Sequence, residues 1–218
     1  MDHLSAGAIA DVVLAPDAAE LADGVRLLCI DGLAGAGKTT LAHAVAARVR
    51  AGGRGVAVVH MDDLYEGWGG LLGARDQLVG VLEALARGER ASFRRWDWHA
   101  SRRGGTLEVP AADVVVVEGC GSAPPFVDGR AALRVWVAAP DALRLRRGLE
   151  RDGEAMRPDW LAFMADERQL LARDATDVRA DVVLGPTGEV LRGAERLDDV
   201  GPRGRGSGPA LWEDRGHA

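Results

Sequence analysis

The chain has 218 residues, of which 47% are apolar and 28% are charged, and its formal net charge is −6. This length and composition suffice for one globular domain with a buried core, and they exclude a largely disordered chain. The sequence contains no run of about 18 apolar residues that could span a membrane, its acidic balance argues against binding to nucleic acid or anionic membranes, and its two cysteines are too few for a disulfide scaffold or a Cys-type zinc site.

The start of the sequence predicts a cytoplasmic protein with a short lead-in. The first residues lack a basic segment ahead of an apolar run, which a secretory signal needs, and the low cysteine count fits a reducing compartment. We predict a helical or irregular lead-in over residues 1–24 and one folded domain over residues 25–184. The sequence leaves homo-oligomerisation open.

Short apolar runs alternate with helical patterns along the predicted domain. Apolar runs predict strands over residues 25–31, 55–60, 113–118, 133–137 and 181–184, and the aromatic segment 92–98 is predicted to be extended. Apolar side chains three or four apart predict helices over residues 38–50, 71–86, 141–152 and 159–173. Strands that alternate with helices form a mostly parallel sheet with helices on both faces, so we predict an α/β three-layer sandwich.

The pattern fades after the last predicted strand. Gly, Pro, Arg and Asp dominate from residue 185, and they show neither strand alternation nor helical spacing. We therefore predict a poorly ordered tail over residues 185–218.

A glycine-rich motif lies between the first predicted strand and the first predicted helix of the domain. The pattern G-x-x-x-x-G-K-[ST] is matched by Gly32, Leu33, Ala34, Gly35, Ala36, Gly37, Lys38 and Thr39. In such a phosphate loop, inward-pointing backbone N–H groups and the helix N-terminus bind phosphates, and this context between strand and helix is the one the motif requires. The G-x-G-x-x-G spacing of a dinucleotide site is not met.

The side chains of this loop predict binding of ATP and Mg²⁺. Lys38 is the only lysine in the sequence, and its ammonium is expected to reach the β- and γ-phosphates. The Thr39 hydroxyl is expected to ligate Mg²⁺. Thr40 completes the candidate nucleotide-binding segment, although capping or packing is an alternative role for it. A guanine-reading N/T-K-x-D element is excluded because no second lysine exists.

Acidic side chains follow two of the predicted strands. Asp62 and Asp63 come after the strand 55–60, and Glu118 ends the strand 113–118. Ligands of open α/β sheets bind at the carboxyl ends of the strands, so these carboxylates are candidates for chemistry. We predict Asp62 as the catalytic base or a Mg²⁺ contact and Glu118 as a member of the Mg²⁺ shell or an alternative base, whereas a capping role for Asp62 is the competing interpretation.

Arginines and aromatic residues complete the candidate site. Arg144, Arg147 and Arg151 share one helix face, where guanidinium groups could contact phosphates; a solvated basic face is the alternative. Of these, Arg147 and Arg151 are the predicted catalytic arginines. Side chains that could stack on or hydrogen-bond to an acceptor, with core packing as the alternative, are Asp63, Tyr65, Trp96, Trp98 and His99. We predict a structural role for His60, at the end of its strand.

Several of these segments resemble the uridine kinase-like family of P-loop kinases. The resemblance begins with IDGLAGAGKTTL at residues 30–41 and HMDDLY at residues 60–65, in which Asp62 and Tyr65 match the family's Asp-x-x-Tyr element. Residues 95–98 resemble its acceptor-lining segment, Glu118 resembles its acidic residue near Mg²⁺, and residues 144–152 resemble its lid helix. The resemblance covers roughly residues 25–184, but Asp63 replaces a small polar residue and the lid after Asp152 is short.

The resemblance implies a P-loop NTPase fold and an ATP-dependent kinase that transfers the γ-phosphoryl group to a hydroxyl of a small acceptor, with a nucleoside as the leading acceptor. A kinase of another hydroxylated metabolite or antibiotic is the first alternative. A nucleotide-dependent switch or ATPase without a small-molecule acceptor is the second. The expected partner is a small molecule, and neither nucleic acid nor membrane is expected.

Overall fold

The structure is a computed structural model that describes residues 3–198. Its strands are β1 (Arg26–Asp31), β2 (Val56–His60), β3 (Ala91–Asp97), β4 (Arg102–Val109), β5 (Val114–Glu118), β6 (Leu133–Val137), β7 (Val182–Leu184) and β8 (Val190–Arg192). Its α-helices are α1 (His3–Val13), α2 (Lys38–Ala51), α3 (Ala74–Ala86), α4 (Asp141–Asp152), α5 (Arg157–Asp174), α6 (Thr176–Arg179) and α7 (Glu195–Asp198). None of the helices within residues 3–198 is long and apolar enough to cross a membrane.

Six strands form the central sheet in the order β2-β5-β1-β6-β7-β8. The first five are parallel, and β8 is antiparallel to β7. The register pairs Glu118 with both Ile30 and His60, so the carboxyl ends of β1, β2 and β5 meet at one edge. The predicted α/β sandwich with a mostly parallel sheet is therefore confirmed.

The sheet is buried on both faces because alternate side chains of its strands enter two different cores. Cys29 and Val117 point to the core that contains α3 and part of α5. Ile30 and Val116 point to the opposite core, which α1 and α2 cover. Every residue of β5 is buried, as expected of its four consecutive valines in a central parallel strand.

The N-terminal lead-in is a regular helix that belongs to the domain. Ala6, Ile9, Ala10 and Val13 of α1 are buried at helical spacing and pack in the same core as α2. The domain boundary predicted at residue 25 is therefore too late.

The predicted tail was also placed too early. Residues 190–192 form β8, and the Ser5 hydroxyl donates a hydrogen bond to the Gly188 carbonyl oxygen at 2.8 Å. All three residues of β8 are exposed, so the strand carries no apolar alternation that the sequence could reveal. The rest of the predicted tail, residues 199–218, lies outside the described residues.

A separate two-stranded sheet stands beside the central one. Strands β3 and β4 pair antiparallel, with a register shift between Arg94 and Trp96. The extended segment 92–98 was predicted, but its partner β4 was not, because Gly104 and Gly105 are poor strand residues. The turn of this hairpin, residues 98–101, lies over the carboxyl edge of the central sheet, where the Trp98 indole N–H donates to the Asp62 carbonyl oxygen at 3.2 Å.

We predict that residues 185–198 contribute to stability. A chain that ends after Leu184 loses β8 and the Gly188 carbonyl, whereas a chain that ends after Asp198 keeps every described element. The shorter chain should therefore melt at a lower temperature, by about 2–4 °C for each kcal/mol lost in a chain of this size. Thermal unfolding of the two truncated chains tests this, and equal melting temperatures would show that β8 adds nothing.

Candidate active site

The phosphate loop, Gly32–Thr39, connects β1 to α2 in a conformation that depends on glycine. Gly32 and Gly35 have φ values of +145° and +78°, a region that residues with a Cβ rarely adopt. A Cβ on Gly35 would also lie 2.7 Å from the carbonyl oxygen of Arg144, so α4 approaches the loop too closely for any side chain there. The loop therefore follows a tight curve that depends on its glycines, as anion-binding backbone loops do.

Lys38 begins α2 and is buried beneath the loop. Its ammonium donates to the Leu33 carbonyl oxygen at 3.0 Å and lies 3.8 Å from the Cys120 sulfur. Burial lowers the pKa of Lys38, but nearby ionisable groups, first Cys120 and then Glu118 and Asp62, raise it by more. The side chain therefore carries a positive charge inside the cavity that the loop borders.

Glu118 joins the loop to the neighbouring strand. Its Oε1 accepts a hydrogen bond from the Thr39 hydroxyl at 3.0 Å and lies 2.6 Å from Nδ1 of His60. Burial raises the pKa of Glu118, whereas the hydrogen bond to His60 and the charge of Lys38 lower it, and the net direction is downward. The same hydrogen bond raises the pKa of His60. Glu118 is therefore an ionised carboxylate. His60 positions this carboxylate through their hydrogen bond, which agrees with the structural role predicted for His60.

The oxygen atoms of Thr39 and Glu118 fit a Mg²⁺ ion that brings most of its own ligands. Both are hard oxygen donors, and they lie on the wall of one cavity. Within residues 3–198 no cluster of three or more His, Cys, Asp or Glu side chains could hold a metal alone. A site with so few protein ligands suits Mg²⁺ bound to phosphate oxygens and water, as in nucleotide sites.

A buried ion pair is hydrogen-bonded to the backbone of the phosphate loop. Arg144 on α4 and Glu167 on α5 are 1% and 0% exposed, and their side chains are 3.0 Å apart. Arg144 donates to the carbonyl oxygen of Ala34 at 2.9 Å, and Glu167 accepts a hydrogen bond from the N–H of the same residue. Asp141 also pairs with Arg144, at 2.7 Å. Arg144 is therefore neither a phosphate contact nor part of a solvated face, and both its role and that of Glu167 were missed by sequence reasoning.

Two of the other three arginines of α4, Arg147 and Arg151, lie beside the site. Arg147 donates to the Gly35 carbonyl oxygen at 3.2 Å, at the phosphate loop. Arg151 donates to both carboxylate oxygens of Asp152, at 2.7 and 2.9 Å, and its guanidinium lies 5.8 Å from the ring centroid of Trp160. Both arginines line the cavity beside the loop, as a contact with phosphates requires.

Asp31, at the end of β1, anchors the loop after β5. Its carboxylate accepts hydrogen bonds from the N–H groups of Gly32, Gly121 and Ala123 at 2.7, 3.0 and 3.0 Å. Burial raises the pKa of Asp31 to about 6 despite these donors. The carboxylate thus ties the start of the phosphate loop to the backbone that follows Glu118.

Two cavities meet in front of the loop. The phosphate cavity, ≈ 390 Å³, is bordered by the loop together with Glu118 and Arg147. The aromatic cavity, ≈ 490 Å³, lies beside it and is bordered by Tyr65, Trp68, Trp98, Trp160 and Phe163. Residues that border both cavities are Ala34, Asp62, Arg151, Trp160 and Phe163. A molecule in one cavity is therefore adjacent to a molecule in the other.

The carboxylate of Asp62 stands at the junction of the two cavities. Desolvation by the surrounding protein raises the pKa of Asp62, while the charges of Lys38 and Arg151 lower it. The net effect is a raised pKa. No side chain or backbone group within residues 3–198 donates a hydrogen bond to this carboxylate, so it is free to contact a ligand. A turn-capping role for Asp62, the competing interpretation from sequence, has no such hydrogen bond to support it.

The structure brings together only some of the predicted acceptor residues. Tyr65, Trp98 and His99 border the aromatic cavity, although the Tyr65 hydroxyl is buried and donates to the Cys120 carbonyl oxygen at 2.8 Å. Asp63 and Trp96 border neither cavity. Trp96 instead packs against Arg103, whose guanidinium lies 5.9 Å from the indole centroid. The register shift after Arg94 re-aims the end of β3, which a sequence pattern does not reveal.

Sequence reasoning missed three aromatic walls of this cavity. Trp68 is central among them, because its ring centroid lies 5.9 Å from Trp98, 5.7 Å from Trp160 and 5.9 Å from Phe163. Trp160 and Phe163 were assigned only to the apolar stripe of a helix. Trp160 and Phe163 lie near the loop that follows β2 only through tertiary contacts with Trp68. Trp68 itself lies in a segment without periodicity. No local sequence pattern could therefore have pointed to these three residues.

Comparison with known proteins gives matches in structure but not in sequence. No family model matches the chain, and no curated protein sequence matches it significantly. A uridine kinase candidate from Bacillus stearothermophilus is 22% identical with a TM-score of 0.58, and the match covers 82% of this chain and 96% of that one. A fructose transport system kinase candidate from Silicibacter sp. TM1040 is 22% identical with a TM-score of 0.56, covering 77% and 94%.

The chain has the fold of these two proteins, an α/β P-loop NTPase fold. The fold implied by the sequence resemblance to the uridine kinase-like family is thereby confirmed. The name of one similar structure refers to uridine and that of the other to a fructose transport system, so the shared fold does not by itself select an acceptor.

We predict that Glu167 is required for stability because it neutralises a buried arginine. Glu167→Gln removes the fully buried carboxylate beside Arg144 and leaves only the half-exposed Asp141 to pair with it, which should lower the free energy of unfolding by about 3 kcal/mol. Glu150→Gln on α4 is the matched control, since its pair with Arg146 is exposed and 3.8 Å long and should contribute about 0–1 kcal/mol. Denaturant unfolding of both variants, followed by tryptophan fluorescence, measures the difference. Equal, small losses would show that the buried pair does not hold the loop.

Proposed function

We propose that the protein is a MgATP-dependent kinase that transfers the γ-phosphoryl group to a hydroxyl of a small acceptor. The observation that carries this proposal is the position of the Asp62 carboxylate, between a cavity bordered by a phosphate loop and a second cavity bordered by aromatic side chains. A nucleotide-dependent switch needs no second small-molecule cavity beside its phosphates. The arrangement therefore favours a phosphotransferase over a switch.

On the phosphate side, the backbone N–H groups of the loop and the Lys38 ammonium bind the phosphate oxygens. Mg²⁺ held with the nucleotide near Thr39 and Glu118 would neutralise charge on the β- and γ-phosphate oxygens. Arg147 and Arg151 border the same cavity and supply further positive charge for the transferring group, where guanidinium groups can bind oxygens in pairs. These groups stabilise the charge that spreads over the γ-phosphoryl oxygens in the transition state.

On the acceptor side, Asp62 orients the attacking hydroxyl and accepts its proton. The acceptor oxygen forms a bond to the γ-phosphorus while the bond from that phosphorus to the β,γ-bridging oxygen breaks, and ADP leaves with the displaced electron pair. The raised pKa of Asp62 makes it a better proton acceptor than an ordinary aspartate. Lys38, close enough to lower that pKa, keeps the carboxylate from being protonated too readily.

The acceptor itself binds in the aromatic cavity. Its volume, ≈ 490 Å³, is within the range of about 300–1,000 Å³ usual for small-molecule sites. A nucleoside is the acceptor that the sequence resemblance implies, and a sugar or another hydroxylated metabolite or antibiotic is the alternative. Measuring ATP turnover with and without a panel of these compounds distinguishes a kinase, which the acceptor stimulates, from a switch, which it does not.

We predict that Asp62→Asn abolishes transfer but leaves MgATP binding intact. The amide keeps the size of the side chain but cannot accept a proton, so the transfer rate should fall by about 10²–10⁴-fold. Asp63→Asn is the matched control, since Asp63 borders neither cavity, and it should keep most of the activity. The measurements are transfer rate, MgATP affinity and melting temperature for both variants.

Two outcomes would contradict this assignment. A parallel loss of MgATP affinity and rate in Asp62→Asn would make Asp62 a contact of the metal rather than the base. An inactive Asp63→Asn beside an active Asp62→Asn would show that the wrong carboxylate was chosen.

A further inference from the structure

The aromatic cavity offers ring faces but almost no free uncharged hydrogen-bonding groups. The Trp98 indole N–H donates to the Asp62 carbonyl oxygen at 3.2 Å, and the Trp160 indole N–H donates to Oδ2 of Asp152 at 2.9 Å. The Tyr65 hydroxyl donates to the Cys120 carbonyl oxygen at 2.8 Å. The polar atoms of these three aromatic walls are thus occupied by the protein, and what they present to a ligand is mainly π surface.

The remaining polar side chains of this cavity are charged or imidazole groups. Asp62, Asp152, Arg151 and His99 border it, and among residues 3–198 no Ser, Thr or Gln side chain does so. Its two carboxylates outnumber its one guanidinium. Arg151 also borders the phosphate cavity, where the proposed mechanism gives it a phosphate contact. In the structure Arg151 pairs with Asp152 beside the face of Trp160, so a ligand cation would take that place only if Arg151 turned to the phosphates.

Such a wall composition suits a positive charge better than a neutral ring. A cation is attracted to the electron-rich faces of tryptophan and to carboxylates, and in this structure a cation already lies at that position, because the Arg151 guanidinium is 5.8 Å from the Trp160 centroid. A nucleobase would need partners for its edge donors and acceptors, and leaving buried edge groups unpaired reduces affinity. Apart from the indole N–H of Trp68 and the imidazole of His99, no uncharged side chain with a free polar atom lines this cavity within residues 3–198.

We propose that the acceptor is an amino alcohol or amino sugar, whose protonated amine lies among the aromatic walls and carboxylates while its hydroxyl faces Asp62. This inference rests on the proposed kinase function and specifies the chemical class of the acceptor. The ammonium pairs with Asp152 and packs on a tryptophan face, and the hydroxyl a few atoms away reaches the junction of the two cavities. The neutral members of the same size class lack the attraction to the ring faces and bind more weakly.

The test uses matched pairs of probes that differ in charge. Ethanolamine is compared with propan-1-ol, its uncharged carbon analogue, and glucosamine is compared with glucose. Affinity is measured by isothermal titration in the presence of a non-hydrolysable ATP analogue and Mg²⁺, and transfer is measured separately with ATP. We expect the cationic member of at least one pair to bind about tenfold more tightly than its neutral partner. Equal affinities within both pairs, or no binding by either ammonium compound at about 10 mM, would overturn the proposal.

Two variants of Trp98 separate the ring face from simple packing. Trp98 is 39% exposed, so its replacement leaves the core unchanged. Trp98→Phe keeps an aromatic face and should keep most of the preference for the cationic probe, whereas Trp98→Leu should reduce that preference several-fold while leaving the affinity for the ATP analogue unchanged. An unaltered preference in Trp98→Leu counts against the inference.

The two levels of the proposal fail in different ways. If the cationic probes bind preferentially but no acceptor of any class is phosphorylated, the inference about the cavity stands and the kinase function fails. If neutral sugars or nucleosides are phosphorylated at least as efficiently as the amines, the kinase function stands and the inference about the amine fails.

Discussion

The rest of the site depends on how the backbone of one residue, Ala34, is held. The N–H and C=O groups of Ala34, in the middle of the phosphate loop, are both taken by the buried pair of Glu167 and Arg144. Removing two charges from water is costly unless each finds several partners, and here each charged group contacts the other as well as the loop backbone. The pair connects the loop to α4 and α5, the helices that carry Arg151 and Trp160. The phosphate side and the acceptor side of the site are therefore held by the same interaction.

The division of chemistry follows from the topology of the sheet. Strand β5 lies between β1 and β2, and the three parallel strands bring Asp31, His60 and Glu118 to one edge of the sheet. Asp31 accepts hydrogen bonds from backbone N–H groups there. His60 and Glu118 form a hydrogen-bonded pair beside Thr39. Charged groups that suit phosphate and metal thus gather over the strands. Aromatic groups from the loop after β2, the β3–β4 hairpin and α5 gather beside them. Asp62 stands where the two environments meet, which is the place where a hydroxyl and a γ-phosphate would react.

Sequence patterns were sufficient to predict those features that are formed by residues close together in the chain. The phosphate loop, the buried valine strand and the acids at strand ends are each encoded within a few residues, and the structure places them where those patterns predict. The ion pair of Arg144 and Glu167 that binds Ala34 has no periodic sequence pattern that would predict it. Glu167 lies 133 positions from Ala34 and 23 positions from Arg144. The aromatic cavity is assembled from three separate segments for the same reason. Strand β8 escaped because an exposed edge strand of three residues needs no apolar pattern.

The central claim is that the loop around Lys38 is the site where MgATP binds and reacts. Isothermal titration of a non-hydrolysable ATP analogue with Mg²⁺ into the full chain and into Lys38→Ala tests it most directly. The account predicts one site in the full chain and an affinity at least about tenfold lower in the folded variant, because no other lysine exists to replace the buried ammonium. Unchanged affinity in a folded Lys38→Ala protein would contradict the account.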